Sequence, residues 1–380
     1  MKKSLGFSLV LVSLLGAYDA PSFKTDGYIR AGYQNHDVDG DKSYKQDSIG
    51  GKLSIYNDDF KTNGIGGKIS FYTTNKISNN DTEGVPFFDQ NNASYSILGE
   101  AYLFGRYKNT TLKIGRQELE TPFANTDDIG MIPCTFEAGV LTNTDLPNTT
   151  LLLAGVRRWS GVDAPKPSSF TKMQNDDPVK MAGVIYEGIK GLGLSAYYYD
   201  LDDKVAGDID SISYAEAIYG GNYNSIGYEL GLQSANQKFK GEKTAKIVGY
   251  SLGVNFDKLG LGFSYAYNKS KDHSATNGFG GGPFFTSCDD STIDGMGADI
   301  KADRYGVSFD ASNYGLSGLN LGYSYLKIKN PTSQKSTEND YTIEYEINKN
   351  LNLSIHHIVV DDKINTTKYK NTRVFVNYNF

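Results

Sequence analysis

The chain has 380 residues, with 28 tyrosines, 19 phenylalanines and 42 glycines but only 10 prolines, and its mean hydropathy is −0.44. The formal net charge of −6 and the pI of about 5.4 argue against a nucleic acid as partner. Beyond the N-terminus no stretch is long and apolar enough for a transmembrane helix, which needs about 20 residues. The length exceeds that of a usual single-core domain, yet no Pro/Ser-rich linker divides the chain.

The N-terminus has the pattern of a secretory signal peptide. Two lysines precede an apolar run from Leu5 to Leu15, and small residues follow. This run is too short to span a bilayer as a helix. We therefore predict a signal peptide over residues 1–17 or 1–20, because cleavage after Ala17 and cleavage after Ala20 both fit the pattern. Residues 18–380 are then a single domain.

From about residue 26 onwards, short segments with alternating apolar and polar residues recur along the chain. A period of two is typical of β-strands, whose side chains point alternately to opposite faces. The first three segments lie around Ile29, Leu53 and Ile69. The others lie near 95–107, 110–118, 135–143, 149–159, 179–187, 193–201, 211–219, 224–234, 245–256, 260–268, 303–311, 319–328, 340–347, 351–360 and 371–380. The total of about eighteen is even, as bacterial single-chain barrels require.

The connections between these segments alternate in length. Short ones include 108–110, 145–148, 257–259 and 348–350, whereas 74–93, 119–134, 160–178 and 269–302 are long. Short turns on one side and long loops on the other are typical of an outer-membrane barrel. In that arrangement the long loops lie outside the cell and both termini lie in the periplasm.

The strand faces favour a membrane wall over a soluble sandwich. Val248, Tyr250, Leu252 and Val254 alternate with small polar residues. The last strand places Val374, Val376, Tyr378 and Phe380 on one face, with Phe375 the one apolar residue on the other. A terminal Phe also resembles the signal by which outer-membrane barrels are recognised for assembly. We predict an all-β fold, a transmembrane antiparallel β-barrel of about 18 strands whose lumen is too wide for side chains to fill.

The segment from Thr121 to Asn143 resembles the third loop of the OprD family of substrate-specific outer-membrane porins. The matching positions are Asp128, Met131, Ile132, Pro133, Thr135 and Phe136. The glycine-rich run 277–285 resembles long-loop segments of the same family more loosely. The resemblance implies a channel that lets small polar solutes, amino acids or small carboxylates, diffuse passively and with partial selectivity across the outer membrane.

The resemblance also implies where the channel narrows. In this family the third loop folds into the barrel, so 119–134 is expected to form the constriction with help from the seventh loop, 269–302. The expected constriction residues are Asp127, Asp128, Pro133 and Glu137. The family's loop arginine falls at Gly130, so one expected carboxylate-binding group is missing. Candidate basic residues on the lumen wall are Arg30, Lys52, Lys68, Arg106, Lys113, Arg157 and Lys180.

Two cysteines, Cys134 and Cys288, lie in the third and seventh loops. A signal peptide places both in an oxidising compartment, where an even number of cysteines tends to pair. In the resembled family both loops turn inward and meet, which implies a disulfide that holds the constriction together. Two free thiols are the alternative, because bridging demands a specific geometry.

Other functions find less support in the sequence. The four histidines form no recognisable catalytic or zinc motif, so we predict no enzyme, no metal and no cofactor. The alternatives are a barrel-anchored adhesive surface protein and a secreted soluble β protein. The expected partners are outer-membrane lipid and small polar solutes. A homo-oligomer is compatible with the barrel, but no residue pattern selects it.

Overall fold

The computed structural model describes residues 23–41, 43–58, 63–78, 86–174, 177–201 and 208–380. The predicted signal peptide lies outside these residues and stays a prediction. The strands are β1 Lys24–Val38, β2 Ser43–Asn57, β3 Asn63–Lys76, β4 Tyr95–Tyr107, β5 Thr110–Gln117, β6 Thr135–Asn143, β7 Thr149–Ser160, β8 Thr171–Lys172, β9 Val179–Ile189, β10 Leu192–Asp200, β11 Ile209–Tyr223, β12 Ile226–Phe239, β13 Ala245–Phe256, β14 Leu261–Lys271, β15 Lys301–Asp310, β16 Leu319–Lys329, β17 Lys335–Asn348, β18 Leu351–Asp362 and β19 Thr367–Asn379.

The sheet closes on itself. Each wall strand pairs antiparallel with its neighbours in the sequence, and β1 pairs with β19 as well as with β2. Of the nineteen strands, β8 has two residues and only extends the end of β7, which pairs directly with β9. The other eighteen form the wall, so the predicted eighteen-stranded antiparallel barrel is confirmed. Phe380 takes part in closure, because its backbone N–H and C=O pair with Gly27 at 3.0 and 3.1 Å.

The connections follow the predicted alternation. The long connections 77–94, 118–134, 161–178 and 272–300 all leave the same end of the barrel, and the opposite end has turns such as 108–109, 190–191 and 349–350. Two short 3-10 helices, Asp257–Leu259 and Ala311–Tyr314, lie in connections at that opposite end. Among the described residues, no helix is long and apolar enough to cross a membrane.

The outer face of the wall is apolar. Tyr250, Leu252 and Phe263 are 45%, 46% and 48% exposed, as lipid-facing side chains are when the barrel is considered without its membrane. Gly253 and Ser264 alternate with them and line a cavity on the inner side. In β13 and β14, each strand therefore separates a lipid-facing row from a water-facing row.

Long loops fill the lumen near their end of the barrel. Phe123, Phe279 and Phe284 from the loops are buried in one apolar cluster with residues of the inner wall. A second cluster contains Phe87, Met131 and Phe375. It explains why Phe375 is apolar on the inner face of β19, since its ring lies 5.4 Å from that of Phe87.

A lysine on the outer face should destabilise the barrel, whereas one on the inner face should not. We expect Leu252→Lys to lower the free energy of unfolding in lipid by about 2–4 kcal/mol, because the ammonium group loses its hydration in the hydrocarbon core. Ser264→Lys, one register position away on the neighbouring strand, is the matched control and should change it by less than about 1 kcal/mol. Denaturant titration in lipid vesicles measures both free energies. If Ser264→Lys destabilised the barrel more than Leu252→Lys, the inner and outer faces would have been assigned the wrong way round.

Candidate functional site

The third loop, 118–134, folds into the barrel and packs against one side of the lumen. Phe123 at its turn is fully buried. Its ring meets the rings of Tyr199, Tyr214 and Phe284 edge-to-face at 5.7, 5.8 and 6.0 Å. The backbone N–H of Phe123 donates to the Tyr199 hydroxyl at 3.2 Å. This aromatic cluster fixes the loop inside the lumen without leaving its buried backbone N–H unpaired.

The seventh loop, 272–300, joins the third loop through backbone and side-chain hydrogen bonds. Phe279 N–H donates to Phe123 C=O at 2.9 Å, and the Asn125 side chain both accepts from Gly281 N–H and donates to Gly281 C=O at 2.9 Å. A Cβ at position 281 would lie 2.5 Å from Asp127 Oδ1, so glycine permits this close approach. The expected meeting of these two loops is present.

Arg30 on β1 anchors the third loop to the wall. Its guanidinium donates to both carboxylate oxygens of Asp128 at 2.7 and 2.9 Å, and to the Gly130 carbonyl at 2.6 Å. Its Nε donates to Asn377 Oδ1 at 2.7 Å, and the group stacks over Phe375 at 5.3 Å. A bidentate arginine–carboxylate pair is both strong and directional. Arg30 therefore holds the loop in place, and its hydrogen bonds are largely taken up by the protein.

Position 130 explains the departure from the family pattern. A Cβ on Gly130 would lie 2.4 Å from the Pro86 carbonyl oxygen, so an arginine would displace the segment that follows residue 85. A guanidinium does contact position 130, but it comes from the wall, because Arg30 donates to the Gly130 carbonyl oxygen. A basic group is present at this part of the lumen, but from another element of the fold.

The seventh loop has its own charged attachment to the wall. Asp289 accepts from His356 at 2.6 Å and lies 3.6 Å from Arg373, and Asp290 lies 3.3 Å from Arg373. Burial by itself would raise the pKa of Asp289, but the hydrogen bond to His356 and the charges of His356 and Arg373 outweigh it and lower that pKa. This carboxylate therefore stays ionised and holds the loop.

The two attachments face each other across a narrow cavity of about 150 Å³. Its lining includes Arg30, Asp128, Asp289, His356 and Arg373. Cationic groups of the wall here meet anionic groups of the two inward-folded loops. Charges of both signs therefore border this cavity.

The seven predicted basic residues divide into two groups. Arg30, Lys52, Lys68, Arg106 and Lys113 share the inner face. Lys52 contacts Glu118 at 2.9 Å and Glu100 at 3.2 Å, and Lys68 contacts Glu100 at 3.0 Å. The Lys113 ammonium lies 4.5 Å from the centre of the Tyr102 ring. We call the inner side of β2–β5 the basic wall.

The prediction of a lumen position is wrong for Lys180. It alternates with the buried Val179 and Met181 and shares the outward row with exposed Val184. Arg157 is also misplaced, because it is the extra residue of a bulge at which Ala138 pairs with Val156 and Glu137 with Arg158, and its side chain is exposed. The inner face of these strands is apolar because the third loop packs on it, so the usual rule of apolar side chains outward fails here.

The constriction residues predicted from the third loop also divide. Asp128 and the buried Pro133 lie in the inward-folded loop. Glu137 does not line the lumen, because it alternates with the buried Phe136 and Ala138 and shares the outward row with exposed Leu141.

Burial raises the pKa of Asp127, which hydrogen-bonds to Asp163 of the next long connection. Burial, assisted by the Asp127 charge, raises the pKa of Asp163 to about 8.

The predicted disulfide is not formed, and both cysteines are free thiols. Cys134 Sγ lies 3.7 Å from Asp163 and packs against the backbone of Gly161, next to β7. Cys288 Sγ lies 3.7 Å from Ser324 Oγ on β16. The two loops do meet, but through Phe123, Asn125 and Gly281, and each thiol faces a different part of the wall.

Several charged residues of the lumen were missed from the sequence. The inner side of β11–β17, which we call the acidic wall, bears carboxylates together with the guanidinium of Arg304. These carboxylates are Glu216, Glu229, Glu338, Asp340 and Glu344. Most of these carboxylates alternate with apolar residues in the sequence, and so does Arg373. That alternation could have assigned them to the inner face of the wall. The loop carboxylates Asp289 and Asp290 had no such signal.

Comparisons with known proteins agree with this architecture. The family model described as "outer membrane porin, OprD family" matches residues 75–380, which confirms the resemblance inferred from the third loop. No curated protein gives a significant match. Similar solved structures include a BenF-like porin of Pseudomonas fluorescens Pf-5 with a TM-score of 0.82, OpdK of Pseudomonas aeruginosa with vanillate at 0.80 and OccAB4 of Acinetobacter baumannii at 0.80. Each is 18% identical, and the match covers 94% of this chain and 98% of the other.

Removing the negative charge of Asp128, which pairs with Arg30, should make the third loop more mobile. We expect Asp128→Asn to raise single-channel conductance and current noise, because a bidentate charged pair worth about 1–2 kcal/mol at this half-exposed carboxylate becomes a weaker neutral contact. Asp210→Asn, at the exposed start of β11, is the control and should leave both quantities unchanged. Identical traces from the Asp128 variant and the native protein would exclude an anchoring role for this pair.

The Asp127–Asp163 contact should depend on pH. Asp163 has a raised pKa and therefore keeps its proton in the folded state. The stability that this group contributes falls as the pH rises from its pKa in the unfolded chain, about 3.9, towards its pKa in the folded protein, about 8. Above that pH two adjacent carboxylates repel. We expect channel noise to increase between pH 6 and pH 9 in the native protein, and Asp163→Asn to remove most of that increase. Planar-bilayer recordings at fixed ionic strength test this, and an equal increase in the variant would contradict it.

Proposed function

Because the chain belongs to the OprD family of outer-membrane porins, we propose that it admits small solutes that carry both a carboxylate and an amino group, as free amino acids do. The protein is an outer-membrane channel surrounded by lipid, through which small solutes pass. The alternative of an adhesive surface protein receives no support from the matched family. Passage would be passive, and the channel would catalyse no reaction and need no cofactor.

The distribution of charge across the lumen carries this proposal. The basic wall bears Lys52, Lys68, Arg106 and Lys113 against the carboxylates of Glu100 and Glu118. The acidic wall bears five carboxylates against Arg304. Strands nine positions apart in the closed ring of eighteen lie directly across the lumen, which places Glu216 of β11 opposite Arg30 of β1 and Glu229 of β12 opposite Lys52 of β2. The other three carboxylates lie on β17. A zwitterion can turn its carboxylate to one wall and its ammonium group to the other.

Such opposed charges discriminate between classes of solute. Charged side chains that line a water-filled pore select ions through the field they create. A zwitterion that aligns with the field has a favourable electrostatic interaction at both of its ends. A simple carboxylate is attracted by the basic wall but repelled by the acidic wall. Among these three lysines, Lys113 is the one that can contact a solute most readily, because its own contact is with an aromatic ring, whereas Lys52 and Lys68 are paired with carboxylates.

Uptake into proteoliposomes tests the solute class. The series comprises alanine, alaninamide without the carboxylate, N-acetylalanine without the ammonium group, and vanillate, the aromatic carboxylate found with OpdK. We expect alanine to enter several-fold faster than either analogue, since a gain of about 1 kcal/mol at each end corresponds to about five-fold. Faster entry of vanillate and N-acetylalanine than of alanine would instead identify a channel for small carboxylates.

Matched variants show whether the two walls are responsible. Lys113→Gln removes one charge from the basic wall and Glu229→Gln removes one from the acidic wall, and each should reduce the preference for alanine. Lys180→Gln and Glu137→Gln remove the same charges from the outer surface and should leave it unchanged. Equal effects of the inner and outer variants would exclude the transverse field as the cause.

A further inference from the structure

A cluster of metal-ligating groups lies outside the constriction, where the seventh loop meets β17. We propose that Cys288, Glu338 and Asp340 form a binding site for a divalent metal ion of the Zn²⁺ class. The three side chains offer a sulfur and two carboxylate oxygens that all lie within 4.8 Å of one another. Cys288 comes from the loop, whereas Glu338 and Asp340 occupy successive inward positions of one strand. The ion would tie the loop to the wall.

The burial of both carboxylates supports a missing positive partner. Glu338 is 0% and Asp340 3% exposed. One oxygen of each is paired, since Glu338 Oε1 accepts from the Asp290 N–H at 2.9 Å and Asp340 Oδ2 accepts from the Ser324 hydroxyl at 3.0 Å. Glu338 Oε2 and Asp340 Oδ1 are buried and accept no hydrogen bond from another described residue, and the two carboxyl groups contact each other. Buried charged oxygens are normally paired or bound to a metal.

The local charge also fits a divalent cation. The nearby basic group is Arg304, which lines the same cavity as Asp340 and acts electrostatically on Cys288. Once the thiol and both carboxyl groups are deprotonated, three negative groups face this one guanidinium. A bound divalent ion would offset the remaining charge and stabilise the thiolate, which is the form in which cysteine binds metals.

The ligand types indicate which ions would bind. Ca²⁺ and Mg²⁺ prefer oxygen ligands, whereas a thiolate with carboxylates suits a borderline ion such as Zn²⁺ or its Co²⁺ substitute. Three protein ligands leave the fourth tetrahedral position for water. Bonds of about 2.3 Å to sulfur and about 2.0–2.2 Å to oxygen would draw the ligand atoms, which now lie within 4.8 Å of one another, to about 3.3–3.7 Å.

An ion can reach the site from the lumen. Asp340, Arg304 and Ser324 line an inner cavity of about 370 Å³ that is also bordered by Asp289. Asp289 is attached to His356 and Arg373, and the same loop contacts the third loop through Phe279 and Gly281. A metal at Cys288 would therefore restrain the loop that borders the constriction.

Metal binding by the refolded full-length protein tests the site. Co²⁺ titration should produce a near-ultraviolet thiolate-to-metal charge-transfer band that saturates at about one ion per chain, and Zn²⁺ should abolish it by competition. Cys288→Ser should remove the band, and Glu338→Gln and Asp340→Asn should each weaken Zn²⁺ binding by about ten-fold or more. Zn²⁺ should also raise the unfolding temperature of the native protein but not of these variants.

Two variants serve as matched controls. Cys134→Ser removes the other thiol, and Glu344→Gln removes a carboxylate from the same face of the same strand. Both should keep the band and the native affinity, and heat-modifiable mobility in gels establishes that every variant is folded. Absence of the band in the native protein, or binding that persists when Cys288 and Glu338 are both replaced, would overturn the site. A native protein that binds no metal and becomes more stable in Glu338→Gln would show that the two carboxyl groups share a proton instead.

Discussion

Backbone hydrogen bonding in the hydrocarbon core of the membrane constrains every other part of this structure. No water is available there, so each N–H and C=O of a strand must find its partner in another strand. The pairing of β1 with β19 meets this requirement by closing the sheet. Eighteen strands, however, enclose a lumen that wall side chains alone are too short to fill. The inward-folded loops are thus a consequence of closure in a channel that must discriminate between solutes.

The loops are held by two kinds of contact that act in different places. Apolar packing around Phe123 fixes the third loop against one side of the lumen. Ionic contacts hold the loops to the wall around a small cavity, through Arg30 with Asp128 and through Arg373 and His356 with Asp289. These groups position the loops and make the lining of that cavity polar. The wall behind Cys288 adds a third contact point, where a bound metal would restrain the seventh loop.

The errors in the site predicted from sequence share one physical cause. The rule that apolar residues face lipid holds where the lumen contains water, as in β13 and β14. Where a loop packs on the inner wall, both faces of a strand become apolar, and the alternation no longer tells inside from outside. Phe136, Val179 and Met181 are buried against the loops, which is why Glu137 and Lys180 were assigned to the lumen although they face outward. The bulge at Arg157 shifts the register of β7 in the same region.

The sequence by itself determined the fold class, the number of strands and the side on which the long loops lie, because these depend on a local period of two and on loop length. It also identified the third loop through its motif. The strands predicted from the sequence were too short at the ends of the barrel, as in β17. Polar residues there continue the backbone hydrogen bonding of the sheet but do not alternate with apolar residues. Only the tertiary structure decided which charges share the lumen, that Arg30 serves as the basic partner at Gly130, and that Cys134 and Cys288 face different parts of the wall. These are contacts between residues far apart in the chain, and their geometry is set by how the loops pack inside the closed barrel.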